Sequence, residues 1–242
     1  TNASPYGFGD INGACPSADG NYIFLVDASS SNPTSTDHYI KRIDLGTPWD
    51  LSSTTGKGSE IDLSQYGVTS TTGRIDDFNS SSVSGIDISP DGTKIYLVTT
   101  NRTSDNLGAI SQFTLSTPFD LTTISNVVDA SIVPRTDLAL SSSTYDDCRG
   151  ITFSNTGLQA FVAFSFSSMD FIKQWNLTTP YDLSTANPNP AQEIFTGIVV
   201  EDVSGSYDAM DNIQGIRLAQ NQSCFYITCS TADHVLQLNL PS

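Results

Sequence analysis

Positive charge is what this chain has least of. Ten Lys and Arg stand against 26 Asp and Glu, giving a formal charge of −16 over 242 residues. Phosphate backbones and anionic lipid surfaces are held by clustered cations, so no nucleic-acid partner is expected. Long apolar runs are missing as well. The longest, at 22–26 and 95–98, are strand-sized, far below the roughly 20 residues of a membrane helix, so no membrane insertion is expected either. No segment sustains a 3.6-residue apolar period, which leaves helix a minor component. Gly-x-Ser-x-Gly, a phosphate-cradling glycine loop and His-Glu-x-x-His are all absent, and no catalytic residue is assigned. Cys15, Cys148, Cys224 and Cys229 lack the paired spacing of a zinc site. One or two disulfides and four buried thiols both remain open. The chain opens at Thr1 without methionine or a charged-then-apolar leader, as a processed or trimmed form would.

What is present is repetition. Gly85-Ile86-Asp87-Ile88-Ser89-Pro90-Asp91-Gly92 followed by an apolar run returns as Gly150-Ile151-Thr152-Phe153-Ser154-Asn155-Thr156-Gly157. Gly13 and Gly215 open two further copies, the anchors lying 72, 65 and 65 residues apart. A second shared element fixes the phase: Thr47-Pro48-Trp49-Asp50-Leu51, Thr117-Pro118-Phe119-Asp120-Leu121 and Thr179-Pro180-Tyr181-Asp182-Leu183. Proline sets a turn there, and the aromatic residue reads as a packing plug on a sheet edge.

Each unit reads as four strands, in the second copy near 84–89, 94–100, 109–116 and 126–133, the first hairpin turning at Pro90-Asp91-Gly92. Repeated four-stranded sheets punctuated by glycine and aromatics indicate an all-β protein of the β-propeller class. The expectation is one domain over 1–242 with four blades, at about 11–82, 83–147, 148–212 and 213–242 plus 1–10. The fourth copy stops after its third strand and loses the Ser-Pro-Asp-Gly turn to Ala219-Gln220-Asn221-Gln222. An N-terminal strand within 1–10 would then close the ring; a strand from a neighbouring subunit is the alternative.

Ser89 to Val98, Arg42 to Ser52, Gln112 to Thr122 and Gln174 to Ser184 together resemble the repeat SPDGTKxYxV followed by LSTPWDLST, found in structural proteins of marine phages and in bacterial surface proteins. The resemblance covers essentially the whole chain. It implies a propeller of an extracellular, cell-surface or virion setting, and it leaves function open because propellers host binders, enzymes and scaffolds alike.

Acids gather before each inner strand: Asp10, Asp76 and Asp77, Asp146 and Asp147, and Asp208 and Asp211. A ring of carboxylates at a channel mouth would suit Ca²⁺, which takes six to eight oxygen ligands, although Asp also serves ordinary turns. Two residues after the anchor glycine stand Cys15, Asp87, Thr152 and Arg217, an acid and a base among them. His38 and His234, beside Asp37 and Asp233, fall between the second and third strands of the first and last copies. Only Glu60, Glu193 and Glu201 supply glutamate, and the first two are expected to begin outer strands. Sequons occur at Asn2, Asn79, Asn101, Asn176 and Asn221. The function expected is a non-enzymatic structural or adhesive, receptor-binding subunit. Its partners would be other protein subunits, copies of itself or surface glycans, met through polar loops at 29–37, 101–108 and 165–170. A calcium-dependent, lactonase-like hydrolase at the acidic mouth is the alternative.

Overall fold

A computed structural model describes residues 10–28, 38–63, 83–99, 109–129, 147–166, 169–187, 191–195, 199–201, 207–209, 213–229 and 234–240. Among them the regular structure is strand, interrupted by three single turns of 3-10 helix. The chain forms two compact units: residues 1–104 with 110–129, and 105–109 with 130–242.

The first unit holds two meanders. Strands β1 (Asp10–Pro16), β2 (Tyr22–Ala28), β3 (His38–Leu45) and β4 (Thr54–Asp62) lie side by side in chain order. So do β5 (Val83–Ile88), β6 (Lys94–Thr99), β7 (Ala109–Leu115) and β8 (Ile124–Asp129). The second unit repeats the plan with β9 (Asp147–Phe153), β10 (Gln159–Phe166), β11 (Met169–Asn176) and β12 (Gln192–Phe195). A small hairpin of β13 (Val199–Glu201) and β14 (Tyr207–Ala209) follows. A three-stranded sheet of β15 (Ile213–Leu218), β16 (Cys224–Cys229) and β17 (His234–Asn239) completes it. The fold is thus all-β, built from the antiparallel up-and-down sheets that serve as propeller blades. The strand starts expected for the second copy hold to within two residues, while its fourth strand is described only as far as Asp129, short of the expected 133. The N-terminal segment 1–9, assigned to closure, lies outside the described residues.

The first hairpin of each of the four larger sheets turns by one device. Ser17 accepts from the Gly20 N–H at 3.0 Å and donates its own N–H to the Tyr22 carbonyl at 2.9 Å. Ser89, Gly92 and Lys94 repeat it, as do Ser154, Gly157 and Gln159. Gly20, Gly92 and Gly157 all sit at φ near +70°, a region that costs an L-residue about 1–2 kcal/mol. The fourth copy keeps the turn although it has lost the motif. Gln222 donates its N–H to the Ala219 carbonyl at 2.8 Å and holds φ +57° despite its side chain. Asn221 supplies the aspartate's part, its Oδ1 accepting from the Ser223 N–H and hydroxyl.

Each inner strand carries a bulge just before its anchor glycine, where the register slips at Ile11/Gly13, Val83/Gly85, Gly150 and Ile213/Gly215. Gly13 and Gly150 are required by close approach between sheets. A Cβ on Gly13 would lie 3.1 Å from the Gly85 Cα, and one on Gly150 only 3.0 Å from the Ile216 nitrogen. Outward from this contact the sheets bury their faces. In the first unit Phe24, Val26 and Ile40 of one sheet meet Ile95, Leu97 and Phe113 of the next. In the second, Phe161 packs edge-on against Phe225 with centroids 5.0 Å apart, beside Ile172 and Ile227. Each such side chain contributes roughly 1.5–3 kcal/mol on burial.

Candidate functional site

The inner strands position the groups of greatest interest, and their bulges re-aim one residue each. Those residues are Asn12, Ser84, Arg149 and Gln214, polar in all four copies. In the second unit Arg149 Nη1 donates to Gln214 Oε1 at 3.5 Å, joining neighbouring bulges. The expected acids occupy the adjacent positions only in part. Asp10 and Asp147 each begin an inner strand, opposite Ala28 and Ser165, and Asp208 pairs with Val200 in the small hairpin. Asp76, Asp77, Asp146 and Asp211 lie outside the described residues. Among the described residues no cluster of three His, Cys, Asp or Glu is placed to hold a metal ion.

Polar side chains further along the inner strands are spent on holding sheets together. The Cys15 thiol donates to Asp87 Oδ1 at 3.1 Å, and the same oxygen accepts from the Ile88 N–H at 3.0 Å, all buried between the first and second sheets. In the second unit Thr152 Oγ1 accepts from the Leu218 N–H at 3.3 Å, and Asp170, on β11 instead of an inner strand, accepts through Oδ2 from the Ile213 N–H at 3.0 Å. Cys15, Asp87 and Thr152 are buried, whereas Arg217, the fourth member of that series, is exposed. All four cysteines are buried free thiols, which decides between the two alternatives read from sequence.

The Thr-Pro-aromatic element forms a lid over the first hairpin. The N–H of Trp49 donates to the Gly20 carbonyl at 2.9 Å, and Phe119 and Tyr181 do the same to Gly92 and Gly157 at 2.8 Å. Each aromatic residue is itself left-handed, at φ 58–65°, and its ring fills the space where a Cβ on the glycine would stand. The plug is therefore half of a latch. Sequence reasoning found the aromatic positions and missed their mates, Gly20, Gly92 and Gly157. Beyond each lid Asp50, Asp120 and Asp182 cap the 3-10 turns Leu51–Ser53, Leu121–Thr123 and Leu183–Thr185. Hydrogen bonds from the Ser52 hydroxyl and N–H hold the Asp50 carboxyl below its usual range, and those from Thr122 do so for Asp120. At the hairpins burial pushes Asp19 and Asp91 up. Hydrogen bonds from Ser17 and Asn21 outweigh it for Asp19, those from Ser89 and Thr93 with the Lys94 charge outweigh it for Asp91, and both end lowered.

Other expectations shift by position. His38 and His234 are the first residues of β3 and β17, opposite Ala28 and Cys229, and not loop residues, because the pairing extends past the apolar run. Glu60 falls near the end of β4, not at its start, since the 3-10 turn hands directly into that strand. It sits opposite buried Lys41, with Nζ and Oε2 3.7 Å apart, and Glu193 is likewise opposite Lys173. The loops at 29–37 and 101–108 lie outside the described residues, while at 165–170 the strands run on and leave only 167–168 between them.

No protein-family model matches the chain, and no curated protein sequence matches it. Solved structures resemble it at low identity. The periplasmic gluconolactonase PpgL of Pseudomonas aeruginosa is 9% identical with TM-score 0.49, over 96% of this chain and 58% of that one. The Cps50 (Swd1) β-propeller domain of Myceliophteria thermophila is 10% identical with TM-score 0.44, over 96% and 54%. The PQQ-bound aldose sugar dehydrogenase of Streptomyces coelicolor is 14% identical with TM-score 0.46, over 99% and 65%. The chain thus spans a little over half to about two thirds of these structures, and such likeness says nothing of substrate or partner. No helix among the described residues is long and apolar enough to cross a membrane.

Proposed function

We propose that this chain is a non-enzymatic propeller-type subunit of an extracellular, cell-surface or virion assembly, with a structural or adhesive role. The observation that supports this reading is the use made of inner-strand chemistry. Asp87 and Thr152, the acceptors that a propeller enzyme could turn toward a ligand, are buried as pins between sheets by Cys15, the Ile88 N–H and the Leu218 N–H. A carboxylate already accepting two buried hydrogen bonds contributes to rigidity, and releasing it for catalysis would strand its donors. The acidic composition favours partners that are neutral or cationic, such as glycans and protein surfaces, over polyanions.

The test is thermal unfolding of the full chain with calcium and then with a chelator, alongside a hydrolysis assay on a panel of lactones. A melting temperature indifferent to chelator and no lactone turnover are expected. Marked loss of stability in chelator together with calcium-dependent turnover would replace this reading with the hydrolase.

A further inference from the structure

Three places in this chain set Asn or Asp directly before glycine: Asn12-Gly13, Asp19-Gly20 and Asp91-Gly92. Glycine has no Cβ to keep its nitrogen from the preceding side-chain carbonyl carbon, so each pair has the covalent makings of a succinimide. The two hairpin pairs are locked. Gly20 and Gly92 donate their N–H to the Ser17 and Ser89 carbonyls at 3.0 and 2.8 Å, which engages the nitrogen that would attack. Asp19 Oδ1 accepts from the Ser17 hydroxyl and the Asn21 N–H, and Asp91 Oδ1 from the Ser89 hydroxyl and the Thr93 N–H and hydroxyl. Each carboxylate is thus held by its own turn.

Asn12 has no such restraint. It is the bulge residue of β1, skipped between the pairs Ile11 with Asp27 and Gly13 with Val26, and it is exposed. A bulge leaves its extra residue unpaired and bends the strand there. Asn21, Asn155, Asn176, Asn221 and Asn239 each tie their side chain to a neighbour. The Asn12 side chain makes no hydrogen bond among the described residues.

We infer that Asn12 is a self-modification site, deamidated through attack by the Gly13 nitrogen, and that the isoaspartate produced loosens the dock of the first sheet on the second. The bond from the Gly13 nitrogen to Asn12 Cγ forms, the Cγ–Nδ2 bond breaks, and ammonia leaves with the proton of the Gly13 amide. Water then opens the imide at one carbonyl or the other, giving aspartate or isoaspartate, with no change of oxidation state. Isoaspartate routes the main chain through the former side chain and adds a methylene to β1 just before Gly13. That point has little room to give, since even a Cβ on Gly13 would lie 3.1 Å from the Gly85 Cα. The pin from the Cys15 thiol to Asp87 follows two residues later.

Incubation of the full chain at mildly alkaline pH, folded and in denaturant side by side, tests the inference, read by peptide mass mapping that separates aspartate from isoaspartate. All three sites are expected to react in denaturant. Folded, Asn12 should stay within about ten-fold of its unfolded rate, while Asp19 and Asp91 slow about a hundred-fold or more, because several hydrogen bonds must open before either cyclises. Aged protein should focus at a more acidic position and melt at a lower temperature. Asn12→Ser, which places at this bulge the residue type that Ser84 supplies in the second sheet, should show neither change on ageing. Fresh Asn12→Asp should show the acidic shift without the loss in melting temperature, which separates charge from backbone. A folded chain that keeps the Asn12 amide while the denatured chain loses it overturns the inference. So does isoaspartate at Asn12 that leaves the melting temperature unchanged, or Asp19 and Asp91 reacting as readily folded as in denaturant. None of these readouts depends on the surface-subunit reading, which the calcium and lactone test decides separately.

Discussion

Gly92 and Phe119 show how much of this structure is decided by single residues in pairs. A methyl on Gly92 meets the Phe119 ring at 2.5 Å and also pays the left-handed backbone cost at φ +70°. Gly92→Ala should therefore destabilise by about 2–4 kcal/mol, the sum of an overpacking and a backbone contribution. In a Phe119→Ala background the same change should cost only the backbone part, about 1–2 kcal/mol. Denaturant melts of the four proteins in that cycle measure the coupling, and equal penalties in both backgrounds would mean that lid and glycine are not mates. The carboxylates beside the latches carry a pH signature. Asp91 and Asp120 are held below their usual 3.8 when folded, so the stability they add is complete above that value and is lost as pH falls through the lower folded value. Asp91→Asn and Asp120→Asn should flatten the acid side of a plot of melting temperature against pH, and an unchanged acid limb would show that these turns do not contribute.

At the scale of strands and sheets, the pins between neighbours can be read out one amide at a time. Asp170→Ala leaves the Ile213 N–H buried without its acceptor, at a cost of about 1–3 kcal/mol. Hydrogen exchange should show Ile213 losing protection first, ahead of the middle of β16. The strands themselves were legible in the sequence, because Ser-x-Asp-Gly turns between apolar runs are local signals. The bulges were not, since a bulge is a property of register between two strands and leaves no mark in either alone. The reason for the anchor glycines was hidden for a similar cause: Gly13 answers to Gly85, 72 residues away, across a contact between sheets. Reading Ala219-Gln220-Asn221-Gln222 as a lost turn went too far, because Asn221 performs the aspartate's hydrogen bonding and Gln222 accepts the strained φ. The acidic mouth was a legible pattern of composition, yet what the bulges aim on the described strands is Asn12, Ser84, Arg149 and Gln214, found only once the register is known.

For the whole molecule, charge is the dominant non-local quantity. At −16 the folded chain repels itself, and this repulsion is screened by salt more strongly than the buried pins are. Raising ionic strength from about 0.02 M to about 0.5 M should raise the melting temperature; a fall would mean that exposed ion pairs such as Arg42 with Asp44 outweigh the net repulsion. The latch has a further consequence for a chain built from near-copies of itself. Repeats this similar are prone to exchange parts while folding, since a lid meant for one hairpin fits the next. The three glycine hairpins are matched by three lids. The fourth hairpin, with Gln222 in the glycine's place, presents a Cβ where the others leave room, so a stray lid is turned away.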